Sequence, residues 1–301
     1  MAEWADRRGI RNIVVSEHHG TDDGFMPAPL TVAAALLART RDAVVTVSAL
    51  LLPLHDPLRI AEQVATIDLL SGGRIVIVAG LGYRPEEFAM AGVDPRRRAA
   101  LFEEYVTVLR RAWTGEPFEY RGVTCRATPA PSTRPHPPLF VGGSTEIAAR
   151  RAARLGLPFM PAVNDPALVA AYEDACAATG FTGGFVLLPR GPGFVHVTRD
   201  PDKARAQLAP HVLYDAQTYA SWQIPGQRSA VDVRARTVED VWSSGVYRIV
   251  TPDECLALAR EVGNVTLHPL MGGMPVEMGW ESLELFADEV LPRLTATPES
   301  G

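Results

Sequence analysis

The chain has 301 residues, room for one large α/β domain or two smaller ones, and at 47% hydrophobic and 21% charged it has the profile of a folded globular protein. A formal net charge of −6 argues against a nucleic acid or an anionic membrane as partner, since either would need a basic face. Three dispersed cysteines (Cys125, Cys176, Cys255) match neither a disulfide framework nor a zinc site, and no apolar run is long enough to span a bilayer. The expectation is a cytoplasmic protein.

In chain order, a short charged helix, "AEWADRRG", precedes a first β-branched run at Ile13–Ser16. Further runs fall at Val44–Leu52, Ile75–Ala79, Leu139–Val141, Phe159–Val163, Phe194–Thr198 and Val265–Leu267. Amphipathic stretches lie between them: "PLRIAEQVATIDLLSGG", "PRRRAALFEEYVTVLRRAW" and "TEIAARRAARLG". Asp56-Pro57, Asp165-Pro166 and Asp200-Pro201 each read as an N-cap followed by proline at the first helical position, and Gly72-Gly73 ends the first of these helices. Apolar strands separated by helices predict a parallel sheet covered by helices. Seven strands spread from end to end favour a single TIM-like (β/α)8 barrel over residues 1–301, one strand short of closure. The stretch at about 120–138 reads as a proline-rich, extended connection. Residues 210–245 read as an insertion near one end of the barrel or as a plain loop-and-helix excursion.

In a barrel, ligands bind where strands end. The first strand runs into Glu17-His18-His19, the second passes Ser48-Ala49, the third ends in Gly80-Leu81-Gly82-Tyr83 and the fourth in Gly142-Gly143-Ser144-Thr145. The last of these places small residues and hydroxyls at a helix N-terminus, an anion site if not an ordinary cap. His18 has the side chain for general acid–base work near neutral pH, although a histidine at a strand end is more often structural. His55 and His268 read as structural. No metal is expected, because no His-Glu-x-x-His spacing or Cys/His cluster occurs.

Four blocks, "VVSEHHG", "SALLLPLHDPLRIAEQVATIDLLSGGRIVIVAGLGYRPEEF", "PPLFVGGSTEIAARRAARLGLP" and "GNVTLHPLMGGMPVEMGWESLELFADEVLPRL", resemble the bacterial luciferase-like family of flavin-dependent oxidoreductases. The resemblance implies a TIM-like barrel, here without the usual first β-strand, with the flavin ring at the strand ends. It implies that Glu17, His18, Ser48, Ala49, Gly80, Gly82, Tyr83, Gly142, Gly143, Ser144 and Thr145 bind the cofactor, with the phosphate near Gly143–Thr145. His18 corresponds to the histidine beside the reactive face, and Ser48-Ala49 to a non-prolyl cis peptide behind the ring. Bacterial luciferase has a phosphate-binding arginine where this chain has Leu81, which leaves Arg84 or backbone N–H groups for that task.

The activity implied by the resemblance is that of a monooxygenase, working as a homodimer, that oxidises a small organic substrate with dioxygen and reduced FMN from a separate reductase. One alternative is hydride transfer with the deazaflavin coenzyme F-420, its anionic tail held by Arg84 and Arg96–Arg98. Another is a non-catalytic flavin binder or a subunit of a hetero-oligomer.

Overall fold

Helix and strand alternate from the first residues of the computed structural model, which describes residues 1–295. Helix α1 (Ala2–Arg7) leads into β1 (Asn12–Val15), α2 (Pro29–Arg39) and β2 (Val44–Leu51). Asp6, buried at the end of α1, accepts backbone N–H bonds from Arg41, Asp42 and Ala43 and so fixes the entry to β2. Helix α3 (Pro57–Ser71) starts as its sequence dictates: the Asp56 carboxylate accepts from the N–H groups of Leu58 and Arg59, Pro57 occupies the first turn, and Gly72 ends the helix at φ 67°. Then come β3 (Ile75–Gly80), α4 (Pro85–Met90) and α5 (Arg98–Ala112).

The 120–138 connection is not wholly extended. It is entered by an antiparallel hairpin of β4 (Phe118–Tyr120) and β5 (Val123–Cys125), turning through Arg121 and Gly122, both at positive φ. Three-residue strands fall below the length at which alternation is visible, which is why pattern alone does not reveal them. Further along, Asp68 on α3 accepts from the N–H and hydroxyl groups of Ser132 and Thr133, which ties this connection down. Strand β6 (Leu139–Gly143), α6 (Glu146–Arg154), β7 (Phe159–Pro161) and α7 (Pro166–Thr179) come next.

These elements form the first of two compact units, Met1–Leu188. Its sheet has the order β1-β2-β3-β6-β7 with every pair parallel. Val45 and Val47 on β2 and Ile75, Ile77 and Ala79 on β3 are fully buried, in one apolar cluster with Ile60, Ala61 and Val64 of α3 and Phe102, Val106 and Leu109 of α5. Each Val, Ile, Leu or Phe side chain among them contributes about 1.5–3 kcal/mol of burial. Trp113 closes the cluster, its indole N–H donating to the Ala61 carbonyl at 3.0 Å.

The second unit starts at Pro189. It contains β8 (Phe194–Val197), α8 (Pro201–Trp222), α9 (Val238–Ser243), β9 (Tyr247–Val250), α10 (Pro252–Val262), α11 (Val276–Leu285) and α12 (Leu291–Thr295). Strands β8 and β9 pair in parallel. β9, only four residues long with a charged Arg248 inside it, is a strand that the apolar pattern does not reveal. The expected strand at Val265–Leu267 is reduced to a single parallel bridge between Leu267 and Val195. Residues 210–245 are helical to Trp222, irregular to 237, and helical again through α9. No helix among the described residues is long and apolar enough to cross a membrane.

Candidate active site

A parallel sheet puts all its carboxyl ends on one edge, so β1, β2, β3 and β6 bring together residues remote in sequence. His18, buried just past β1, donates from Nδ1 to Glu87 Oε1 at 2.9 Å. Glu87 lies in α4, the helix after β3, and its carboxylate also accepts from the His19 N–H at 3.1 Å and from Arg84 Nη1 at 3.2 Å. Its other oxygen, Oε2, is buried without a hydrogen-bond partner among the described residues. With the carboxylate on Nδ1, the neutral imidazole keeps its proton there and presents Nε2 as the basic nitrogen. The ring edges of Phe25 and Tyr83 flank it, at centroid distances of 5.3 and 5.9 Å.

Glu17 faces elsewhere. Its side chain is fully buried; Oε2 accepts the Leu51 N–H at 2.6 Å, and Oε1 accepts from both His19 Nε2 at 2.8 Å and His55 Nε2 at 2.6 Å. Burial pushes the Glu17 carboxyl up, but the bonds from His55, Leu51 and His19 outweigh it and hold the group below the usual carboxylate range. The carboxylate thus joins the loop after β1 to the end of β2, and His55 belongs with the Glu-His-His block.

The Ser48–Ala49 peptide is cis, as the resemblance implied, and the β2–β3 register slips there, with Ser48 opposite Val78 and Leu50 opposite Ala79. Ala49 therefore bulges toward Gly80, where a Cβ would stand 2.7 Å from the Ala49 methyl. At Gly143, φ is 150° and a Cβ would stand 2.6 Å from Ala148, so only glycine lets β6 turn directly into α6. Thr145 is the N-cap of α6, its hydroxyl accepting from the Ala148 N–H at 3.2 Å; Ser144 beside it is buried. The strand ends thus carry the small residues Ala49, Gly80, Gly82, Gly142 and Gly143, and the N-terminus of α6 follows directly on the last of them.

Arg84, buried, turns its guanidinium Nη1 to the His19 carbonyl at 2.9 Å and to Glu87 at 3.2 Å. Arg96 chelates Asp94 at 2.8 Å. Neither Glu87 nor Phe25 carries a sequence signal that marks it for the site. Glu87 is 69 residues from its partner on a six-residue helix, too short for periodicity to distinguish it from exposed Glu86. Two cavities, about 470 and about 320 Å³, belong to the second unit around α9 and the start of β9, and no site residue lines either.

An α/β chain with parallel strands joined by helices, and polar side chains gathered at the carboxyl edge of its sheet, has the layout of barrel-type enzymes. Residues 1–261 match the family described as luciferase-like monooxygenase, and the chain belongs to that family. Over 325 aligned positions it is 26% identical to 4-hydroxyprotoasukamycin monooxygenase of Streptomyces nodosus subsp. asukaensis, covering 99% of this chain and 86% of the relative. It is 29% identical over 221 residues to the FMNH(2)-dependent dimethylsulfone monooxygenase of Pseudomonas putida, covering 69% and 60%. Among solved structures, monooxygenase RslO1 from Streptomyces bottropensis superposes with a TM-score of 0.78 at 26% identity, covering 98% of this chain and 92% of that one. Another curated relative is matched over only 52% of its length, so the chain spans about half of that protein.

Proposed function

We propose that this protein is a flavin-dependent monooxygenase that binds reduced FMN, supplied by a separate reductase, and oxidises a small organic substrate. The observation that carries this reading is the His18–Glu87 pair set beside a floor of Ala49 and glycines at the carboxyl edge of a parallel sheet. Family membership and relatives whose names state monooxygenase and FMNH(2) dependence support it. When bound, reduced flavin supplies the electrons that activate dioxygen.

The residues present fit that group. Gly80, Gly82 and the Ala49 bulge would take a planar ring, and the N-terminal N–H groups of α6, beside Ser144 and Thr145, would donate to its phosphate. Glu87 holds His18 by Nδ1, which leaves Nε2 as the nitrogen that would take up and return a proton. Phe25 and Tyr83 pack against the imidazole and restrict its orientation. Arg84, bound to Glu87 and the His19 carbonyl, balances the buried carboxylate.

The deazaflavin alternative calls on Arg84 and Arg96–Arg98 for a long anionic tail; Glu87 engages Arg84 and Asp94 engages Arg96, which weighs toward FMN. Anaerobic titration with reduced FMN and with the deazaflavin, followed by fluorescence, tests this. Saturable FMN binding, tighter than that of the deazaflavin and lost in Gly143→Val, is expected; the reverse order of affinity overturns the assignment.

A further inference from the structure

Glu17, His19 and His55 make a two-histidine, one-carboxylate set that sequence spacing conceals, because the ligands come from two loops. One oxygen, Glu17 Oε1, receives Nε2 of His19 at 2.8 Å and Nε2 of His55 at 2.6 Å, and the three ligand atoms all lie within 4.8 Å of one another. The carboxylate is rigid, because Oε2 is held by the Leu51 N–H at 2.6 Å and the side chain is fully buried. The rings are not sealed in: His19 is 23% and His55 26% exposed, so an ion and its water have a way in.

We infer that Glu17 Oε1, His19 Nε2 and His55 Nε2 form a binding site for a divalent first-row transition ion, with Zn²⁺ as the simplest occupant. The donor set suits the class, since imidazole and carboxylate are its usual nitrogen and oxygen ligands and three protein ligands leave a position for water. Bonds near 2.0 Å in a tetrahedral arrangement place ligand atoms roughly 3.3 Å apart, so each ring must swing outward by about half an ångström, a motion open to partly exposed side chains. Each neutral imidazole also moves its proton from Nε2 to Nδ1, so the ion takes the place of the two hydrogen bonds to Oε1 without net proton release. The site is distinct from the His18–Glu87 pair, which uses another carboxylate on another element, and it does not depend on flavin binding.

The test uses tag-free full-length protein, stripped with a chelator and kept free of flavin, titrated with Co²⁺ by visible absorption and then with Zn²⁺ against a chromophoric competitor. One equivalent is expected, with the intense visible bands of a four- or five-coordinate ion. His19→Gln and His55→Gln should each weaken Zn²⁺ by more than the roughly 10–100-fold that loss of an outer-shell partner costs, while His136→Gln leaves it unchanged. Glu17→Gln is the riskier variant because its carboxylate holds the Leu51 N–H, so the two histidine variants decide. Absence of a saturable equivalent in the native protein, or affinity unchanged in both histidine variants, would overturn the site and leave the three side chains a hydrogen-bonded brace. Neither result bears on FMN, which is absent from the assay.

Discussion

At the scale of single residues, the site rests on two buried carboxylates with different tasks. Glu87 gathers His18, the His19 N–H and Arg84 on one oxygen, and Glu17 gathers His19, His55 and Leu51. Replacing Glu87 by Gln keeps the shape but removes the charge that fixes the His18 tautomer and answers Arg84. Turnover should fall by about 10²-fold or more, within the range set by a positioned acid–base group. Stability should fall by about 3 kcal/mol, because the buried ion pair between Glu87 and Arg84 is broken. Steady-state kinetics and urea denaturation measure the two effects separately; a variant that keeps native turnover removes Glu87 from its positioning role. His18 is legible in the sequence because its chemistry is local: an apolar run broken by Glu-His-His is visible in seven letters. Glu87 is not, since burial of one acid and exposure of its neighbour is decided by tertiary packing, here by Phe88 entering the core beside it.

At the scale of elements, the legible parts are those with their own punctuation. Helix α3 carries an aspartate cap, a first-turn proline and a closing glycine, and it folds between the residues those signals mark. Strands β4, β5 and β9 have three or four residues, and β9 interrupts its apolar letters with Arg248, so they depend on partners for their existence rather than on pattern. The β6–α6 turn is the element on which the proposed phosphate site depends. Gly143→Ala puts a methyl 2.6 Å from Ala148 at a φ of 150°, and such backbone strain costs on the order of 1–3 kcal/mol. The variant should lose that much in urea denaturation and also bind reduced FMN more weakly. If instead stability falls and FMN affinity stays native, the head of α6 does not hold the phosphate.

At the scale of the whole molecule, the two units have separate apolar cores, one around β2, β3, α3 and α5, the other around Phe194, Leu208, Val212, Tyr247 and Met271. Each unit includes a titratable group whose burial links folding to pH, and the two act in different windows. His196 sits in β8, where every residue is buried, and desolvation lowers its pKa from 6.5 to about 4. The unfolded chain therefore binds more protons than the native one between these values. The stability that goes with neutral His196 is complete above pH 6.5 and drains away as pH falls toward 4, by about 3 kcal/mol for the 2.5 pH units. Glu17 in the first unit is depressed below its ordinary 4.5, so its contribution is complete above that value and is lost only as pH falls through the lower, folded one. Stability measured by urea midpoints should thus decline in two steps, first through the histidine and then through the carboxylate. His196→Gln should lessen the decline between pH 6.5 and about 4, leaving the part carried by His268, which burial also lowers, and the steeper loss below. An unchanged slope in that variant would mean that the imidazole is already protonated in the folded protein at mildly acidic pH, and that the buried β8 strand tolerates the charge.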